Sequence, residues 1–303
     1  MKKPQILLLG NGINRAFHSD SWDDLLNSID TREDKYKISD RSCPETLKAI
    51  LVTGDRVDIK LAEKKTELAS LGTEKPEGQL ALLRKLLGIG FDGILTTNYS
   101  YGLETAALGF GNISESRLKA MQRHTDEVKR CETRFMLHTY NSVKYNGVEQ
   151  KIWHVHGEAR KPDSMILGHY FYGTLLGKIL ELNKKRGNRY FFDQQNGITP
   201  KLGSWVDAFI LGDLYILGFG FGFAESDMWW LLNRKKREHA EVGKTYFYEL
   251  NLPGKSNREK LDLLRLMGAE IVPFDVENNR WADVYAQAAD DIAKKVKENR
   301  NAD

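Results

Sequence analysis

The chain has 303 residues, enough to bury a full core in one large α/β domain or two smaller ones. Its 45 basic and 42 acidic residues leave a net charge of +3, which excludes the global basic field that nucleic-acid binding exploits. Two cysteines, Cys43 and Cys131, exclude a disulfide framework and a four-cysteine zinc module, and no apolar run approaches the ~20 residues that cross a bilayer.

Ile6 to Leu9 are four consecutive apolar residues, which predict a short strand buried on both faces. The run is too short for the apolar core of a signal peptide, and with the sparse cysteines it predicts a cytoplasmic protein. Gly10 and Gly12 follow, where the backbone can turn sharply and bring its N–H groups close to a ligand. A helix starting soon after would set its positive end over the glycines, completing a cradle for a phosphate. Gly10-x-Gly12 lacks a third glycine and position 15 is Arg, so the same residues also describe a tight β–α turn that binds nothing.

Ser21 is placed to cap a helix entered at Trp22-Asp23-Asp24-Leu25-Leu26. Residues 30 to 75 are charged and weakly periodic, and predict helices and loops over one side of a sheet. Leu80, Leu83 and Leu87 mark an amphipathic helix that Gly88 can end. A second strand, Phe91 to Asn98, has a polar end: Thr96, Thr97, Asn98, Tyr99. From about 105 to 150 the only strand signal is Arg134 to His138, which predicts a helical insertion within a single domain spanning 1–303. A third strand, Lys151 to His156, runs into Gly157. Ser164 to Gly168 is short and apolar, and Tyr170, Phe171 and Tyr172 follow.

Asp213 to Gly220 repeats the opening pattern, an apolar strand running into glycines. Asp227 can cap the next helix, which carries Met228, Leu231 and Leu232. Lys244 to Asn251 is a further strand, Arg258 to Met267 a helix closed by Gly268, and Ala269 to Phe274 the last strand. The final helix sets Trp281, Val284, Tyr285, Ala288, Ile292 and Val296 on one stripe. Strands alternating with helices predict an α/β fold with a doubly wound, mostly parallel sheet.

In such a sheet ligands bind beyond the carboxyl ends of the strands. Those ends hold Gly10, Asn98, His156, Gly218 and Asn251, so polar groups and glycines gather at one rim while the strand bodies stay apolar.

Four separated motifs, Gly10-Asn11-Gly12-Ile13-Asn14, Thr96-Thr97-Asn98-Tyr99, His156-Gly157 and Leu217-Gly218-Phe219-Gly220 with Asp227 beyond, resemble in order the pattern of sirtuin-like proteins. The closer similarity is to bacterial sirtuin-like NAD-hydrolysing proteins, many of them antiviral defence effectors, and it covers nearly the whole chain. The resemblance implies a Rossmann-like fold with NAD as substrate, its pyrophosphate over the amides of the Gly10–Gly12 loop and Asn11 and Asn14 at the same wall. It implies Asn98 beside the nicotinamide ribose, flanked by Thr97 and Tyr99, and His156 as catalytic base. Gly218, Phe219 and Gly220 would approach the phosphates and adenosine ribose, and Asn251 the adenosine end.

Two departures matter. The family often has an aspartate after the Asn-Tyr pair, where this chain has Ser100. Its protein deacylases carry a structural four-cysteine zinc module, which two cysteines cannot build. No metal is expected. The chemistry suits the residues: cleaving the nicotinamide–ribose bond builds oxocarbenium-like charge on the ribose. An imidazole, with an ordinary pKa near ~6.5, can take a proton from a ribose hydroxyl or an attacking water. Arg15 can pair with the pyrophosphate or lie on the surface.

The leading expectation is an NAD glycohydrolase releasing nicotinamide and ADP-ribose, held in check by oligomerisation or by a separate partner protein. The alternatives are a non-catalytic sensor of NAD or ADP-ribose and an NAD-dependent protein deacylase. His154 is read as a buried core histidine and Asp227 as a helix cap. The run Tyr170–Tyr172 and the pair Trp229-Trp230 are read as core or interface, and Arg234 to Arg237 as a solvated helix face.

Overall fold

The computed structural model describes residues 2–17, 22–30, 32, 43–54, 76–109, 113–251 and 257–302. From the N-terminus come β1 (Gln5–Leu9), the single turn α1 (Gly12–Arg15), α2 (Trp22–Ile29), α3 (Glu45–Thr53), α4 (Glu77–Gly88) and β2 (Gly93–Thr96). Then follow α5 (Gly102–Leu108), α6 (Glu115–Met121), β3 (Gln122–His124), β4 (Thr139–Tyr145), β5 (Val148–His154), α7 (His169–Arg186), α8 (Arg189–Gln195) and α9 (Trp205–Leu211). The chain closes with β6 (Asp213–Leu217), α10 (Ser226–Lys236), β7 (Thr245–Asn251), α11 (Arg258–Leu266), β8 (Ala269–Asp275) and α12 (Trp281–Ala302). The proposed Ser21 cap and most of residues 30 to 75 lie outside the described residues.

The eight strands form one sheet in the order β3-β4-β5-β2-β1-β6-β7-β8. The run from β5 to β8 is parallel throughout, and its order is that of a Rossmann-type doubly wound sheet. Successive strand residues face opposite sides, and here both sides are covered. Ile6 and Leu8 join Leu95, Trp153, Leu214 and Ile216 in a core under α2, α3, α7, α9 and α10. Leu7 and Leu9 join Ile94, Ile152, Tyr215 and Leu217 in a second core under α4, α5 and α12. That is why the strand reads as an unbroken apolar run, and each such burial contributes roughly 1.5–3 kcal/mol.

The helical insertion predicted for 105–150 is corrected. Its first part is helical, in α5 and α6, but its second part is sheet: β3, β4 and the start of β5 are antiparallel. The strand is not Arg134–His138 but Thr139–Tyr145, where Tyr140, Val143 and Tyr145 favour extended backbone. Asn146-Gly147 then makes a two-residue hairpin turn with both φ angles positive, 49° and 82°, and pairs Tyr145 with Val148. Ser164 to Gly168 forms no strand, although Met165, Ile166 and Leu167 are fully buried.

The Arg234–Arg237 run is only partly a solvated face. Arg234 pairs with Glu238 at 2.7 Å, whereas Lys235 turns inward to donate to the carbonyls of Phe209 and Gly212. Burial pushes the Lys235 ammonium down to about 7.

Candidate active site

The strand order reverses between β1 and β6, and beyond the carboxyl ends of these strands lies a cavity of about 640 Å³. Its wall takes residues from the ends of β5, β2, β1, β6 and β7, with α2, α3, α7 and α12 contributing to its sides. Five adjacent strands cover about 19 Å at four spacings of ~4.8 Å.

The β1 and β6 loops are laced together. Gly10 N–H donates to the Leu217 carbonyl at 3.0 Å and Gly12 N–H to the Gly218 carbonyl at 2.8 Å. A Cβ on Gly10 would overlap Phe219 Cα and Gly218 O, and one on Gly12 would overlap the Tyr285 hydroxyl. These two amides therefore serve loop–loop contact rather than a pyrophosphate, and Gly10 is not part of the cavity wall. With α1 limited to one turn, little helix dipole is added there. Asn11, Gly12, Asn14 and Arg15 do line the cavity. Asn14 is tied down within the fold: its Nδ2 donates to Asn11 Oδ1 at 2.7 Å and its Oδ1 accepts from Gln79 at 2.6 Å.

At the end of β2, Thr97, Asn98, Tyr99 and Ser100 all face the cavity. Asn98 Nδ2 donates to the Gly10 carbonyl at 3.3 Å, while its buried Oδ1 has no partner among the described residues. The Tyr99 hydroxyl donates to the Ile166 carbonyl at 2.9 Å, and burial, with Glu225 and Asp227 nearby, holds that phenol protonated. Ser100 leaves this rim without the carboxylate the resemblance would offer there.

His154 is the core histidine expected. Its Nε2–H donates to Glu104 at 2.9 Å and its Nδ1–H to the Asn98 carbonyl at 2.8 Å. With Glu104 ionised both partners only accept, which makes the ring an imidazolium. Burial alone would push it down, but Glu104 outweighs that and raises His154 to about 9, while its own contacts hold Glu104 low despite burial.

His156 lies two residues past the end of β5, 2 % exposed, in the cavity wall. Its Nε2 bonds Asp227 Oδ2 at 2.9 Å, and Glu225 Oε2 lies 3.9 Å from the same nitrogen. Nδ1 has no partner among the described residues. The ring meets Tyr172 edge-on, with centroids 5.3 Å apart. Burial works against the imidazolium, yet Asp227, then Glu225, raise His156 above its ordinary value. Partial burial, with Asp227 nearby, pushes the Glu225 carboxyl up to about 7 against the lowering pull of His156.

Sequence reading missed these partners. Asp227 does not cap α10: the N-cap is Glu225, and Asp227 sits in the first turn, fully buried against His156. Tyr172, read as core or interface, is buried in the same core as Phe171 and also lines the cavity. The acidic residues at the end of the glycine loop were the available signal, but pairing them with His156 needs the fold. His156, Glu225 and Asp227 also form a donor group within 4.8 Å that could receive a metal ion, although the His156–Asp227 hydrogen bond accounts for the arrangement without one.

The β6 loop completes the wall with Gly218, Phe219 and Gly220. Phe221, fully buried with φ at 47°, packs between Phe219 and Trp229, each ring centroid 4.9 Å away. At β7 the wall is Phe247 to Leu250 rather than Asn251, whose carbonyl instead accepts from Val276 at 2.8 Å. Glu249 is the acidic group there.

Thus eleven of the thirteen expected residues, all but Gly10 and Asn251, come together around one cavity. Comparison with known proteins finds no family model that matches this chain and no curated protein similar to it. Among the described residues, no helix is long and apolar enough to cross a membrane.

Proposed function

We propose that the protein is an NAD glycohydrolase of sirtuin-like type, cleaving NAD to nicotinamide and ADP-ribose. The observation that carries this is the His156–Asp227 pair in the wall of a switch-point cavity, with Asn98 on the neighbouring strand. The cavity's volume suits an organic cofactor, and its reach of about 19 Å across five strands suits a dinucleotide better than a mononucleotide.

In the proposed reaction a water attacks C1′ of the nicotinamide ribose. The C–N bond breaks, its electron pair leaves with nicotinamide, and the water's proton passes to Nδ1 of His156. Asp227 orients the ring through Nε2 and favours the imidazolium that forms. Glu225 adds negative charge near the oxocarbenium-like centre. Asn98 orients water or a ribose hydroxyl through its carbonyl oxygen, which has no partner among the described residues.

Purified protein incubated with NAD is expected to release nicotinamide, with His156→Ala and Asn98→Ala each at least ~100-fold slower. No release with any partner protein added, or full activity in both variants, would sink the assignment. Antiviral defence, with control by oligomerisation or a partner protein, is proposed from the resemblance alone. Cells expressing the chain with its genomic neighbours should lose NAD on phage infection if it holds.

A further inference from the structure

Around the proposed base, two buried carboxylate oxygens have no hydrogen-bond partner among the described residues: Asp227 Oδ1 and Glu225 Oε2. The His156–Asp227 hydrogen bond uses Oδ2 and accounts for that pair, but not for Glu225. Glu225 stands at the N-cap of α10, yet its side chain makes no capping hydrogen bond. Its orphaned Oε2 lies 3.9 Å from His156 Nε2, the nitrogen that Asp227 Oδ2 approaches to 2.9 Å. His156 is the only ion-pair partner of either acid among the described residues.

Whenever His156 is neutral, as a base must be, the two acids face each other with no cation between them, which is costly away from water. A divalent cation would satisfy all three groups. Their donor atoms lie within 4.8 Å of one another. A tetrahedral Zn²⁺ with bonds of ~2.0–2.2 Å sets its ligands ~3.3–3.6 Å apart, and the separations of 2.9 and 3.9 Å bracket that range. One imidazole with two carboxylates suits zinc, whereas Mg²⁺ prefers oxygens and keeps its waters. The cavity, whose wall holds His156 and Glu225, gives the ion a way in. The consequence follows from the ring, because a neutral imidazole carries one proton. With Zn²⁺ on Nε2 that proton stays on Nδ1, which can no longer accept one from water.

We propose that His156, Asp227 and Glu225 form a site for a single Zn²⁺ ion, which occupies Nε2 of the proposed base and switches it off. The switching rests on the hydrolase function proposed above; the metal site itself does not.

The test titrates zinc chloride into the full chain by calorimetry. Saturable binding of one ion per chain is expected, with no comparable binding of magnesium chloride. Glu225→Gln keeps the side-chain volume and loses the charge. It should weaken Zn²⁺ binding at least ~10-fold, since losing even an outer partner costs a metal site that much. His156→Ala should abolish binding. Cys131→Ser controls for a second pair of zinc-type donors, Cys131 and His124, 3.7 Å apart, and should leave the affinity unchanged. No saturable binding, Mg²⁺ bound as tightly, unchanged binding in Glu225→Gln or His156→Ala, or loss of binding in Cys131→Ser would each overturn the site. Nicotinamide release is a separate readout. At 10 times its Kd, Zn²⁺ should slow release about 10-fold, and EDTA should restore it. No release even without Zn²⁺ would remove the hydrolase and leave calorimetry to decide on the site. Release unaffected by bound Zn²⁺ would overturn the switch and leave the hydrolase standing.

Discussion

Two histidines two residues apart do different work because their surroundings differ at single atoms. His154 has an acceptor on each ring nitrogen and is fixed as a cation behind the site, where its bond to the Asn98 carbonyl steadies the end of β2. His156 has a carboxylate on one nitrogen only and keeps the other for chemistry. The sign of its pH dependence follows. A base acts when neutral, and Asp227 with Glu225 raises His156, so kcat/KM should fall as pH drops through an apparent pKa above the ordinary ~6.5. Glu225, at about 7, titrates in the same range, and the limb belongs to the pair. Asp227→Asn should shift that limb to lower pH and cut kcat at its plateau by about 10- to 100-fold. A limb that stays in place in the variant would show that Asp227 does not act through His156. None of this could be read from spacing, since 71 residues separate the two partners.

Among the elements, the glycine loops carry the most constraint, and it is steric. Gly10 and Gly12 allow the β1 and β6 loops to exchange backbone hydrogen bonds, and the backbone of the partner loop leaves no room for a side chain. Gly10→Ala should therefore cost about 1–3 kcal/mol, read as a lower Tm, even though Gly10 is outside the cavity. An unchanged Tm would show that the two loops can part to admit a side chain. The sequence pointed correctly to these glycines but for a different reason, because a phosphate cradle and a loop–loop contact both demand a missing Cβ. Apolar runs made the parallel strands legible, since Ile6 to Leu9 can only be buried on both faces. The hairpin between β4 and β5 is marked by Asn146-Gly147, but the alternation of Thr139–Tyr145 is hidden because two of its inward residues, Thr139 and Asn141, are polar. Glu249 was masked in another way: it sits inside an apparent apolar strand, and only the cavity shows that its neighbourhood is not core.

For the whole molecule, the decisive feature is that the cavity crosses the switch point instead of sitting on one side of it. Its wall draws on β5 and β2 to one side of β1, and on β6 and β7 to the other. A ligand confined to the β6–β7 half would leave His156 and Asn98 untouched, whereas one that spans both halves joins two weak contacts into a single binding event with a high effective concentration. ADP-ribose, the proposed product, should therefore bind at least ~100-fold more tightly than AMP. Present at 100 times its own Kd, it should stabilise the fold by about 2.7 kcal/mol, a rise in Tm of several degrees. Adding AMP and ribose 5-phosphate together should not reproduce that shift, because the gain lies in their covalent link. Calorimetry on the three solutions decides it: if AMP alone binds as tightly as ADP-ribose, the β5 side of the cavity contributes nothing to recognition, and the cavity is a mononucleotide site.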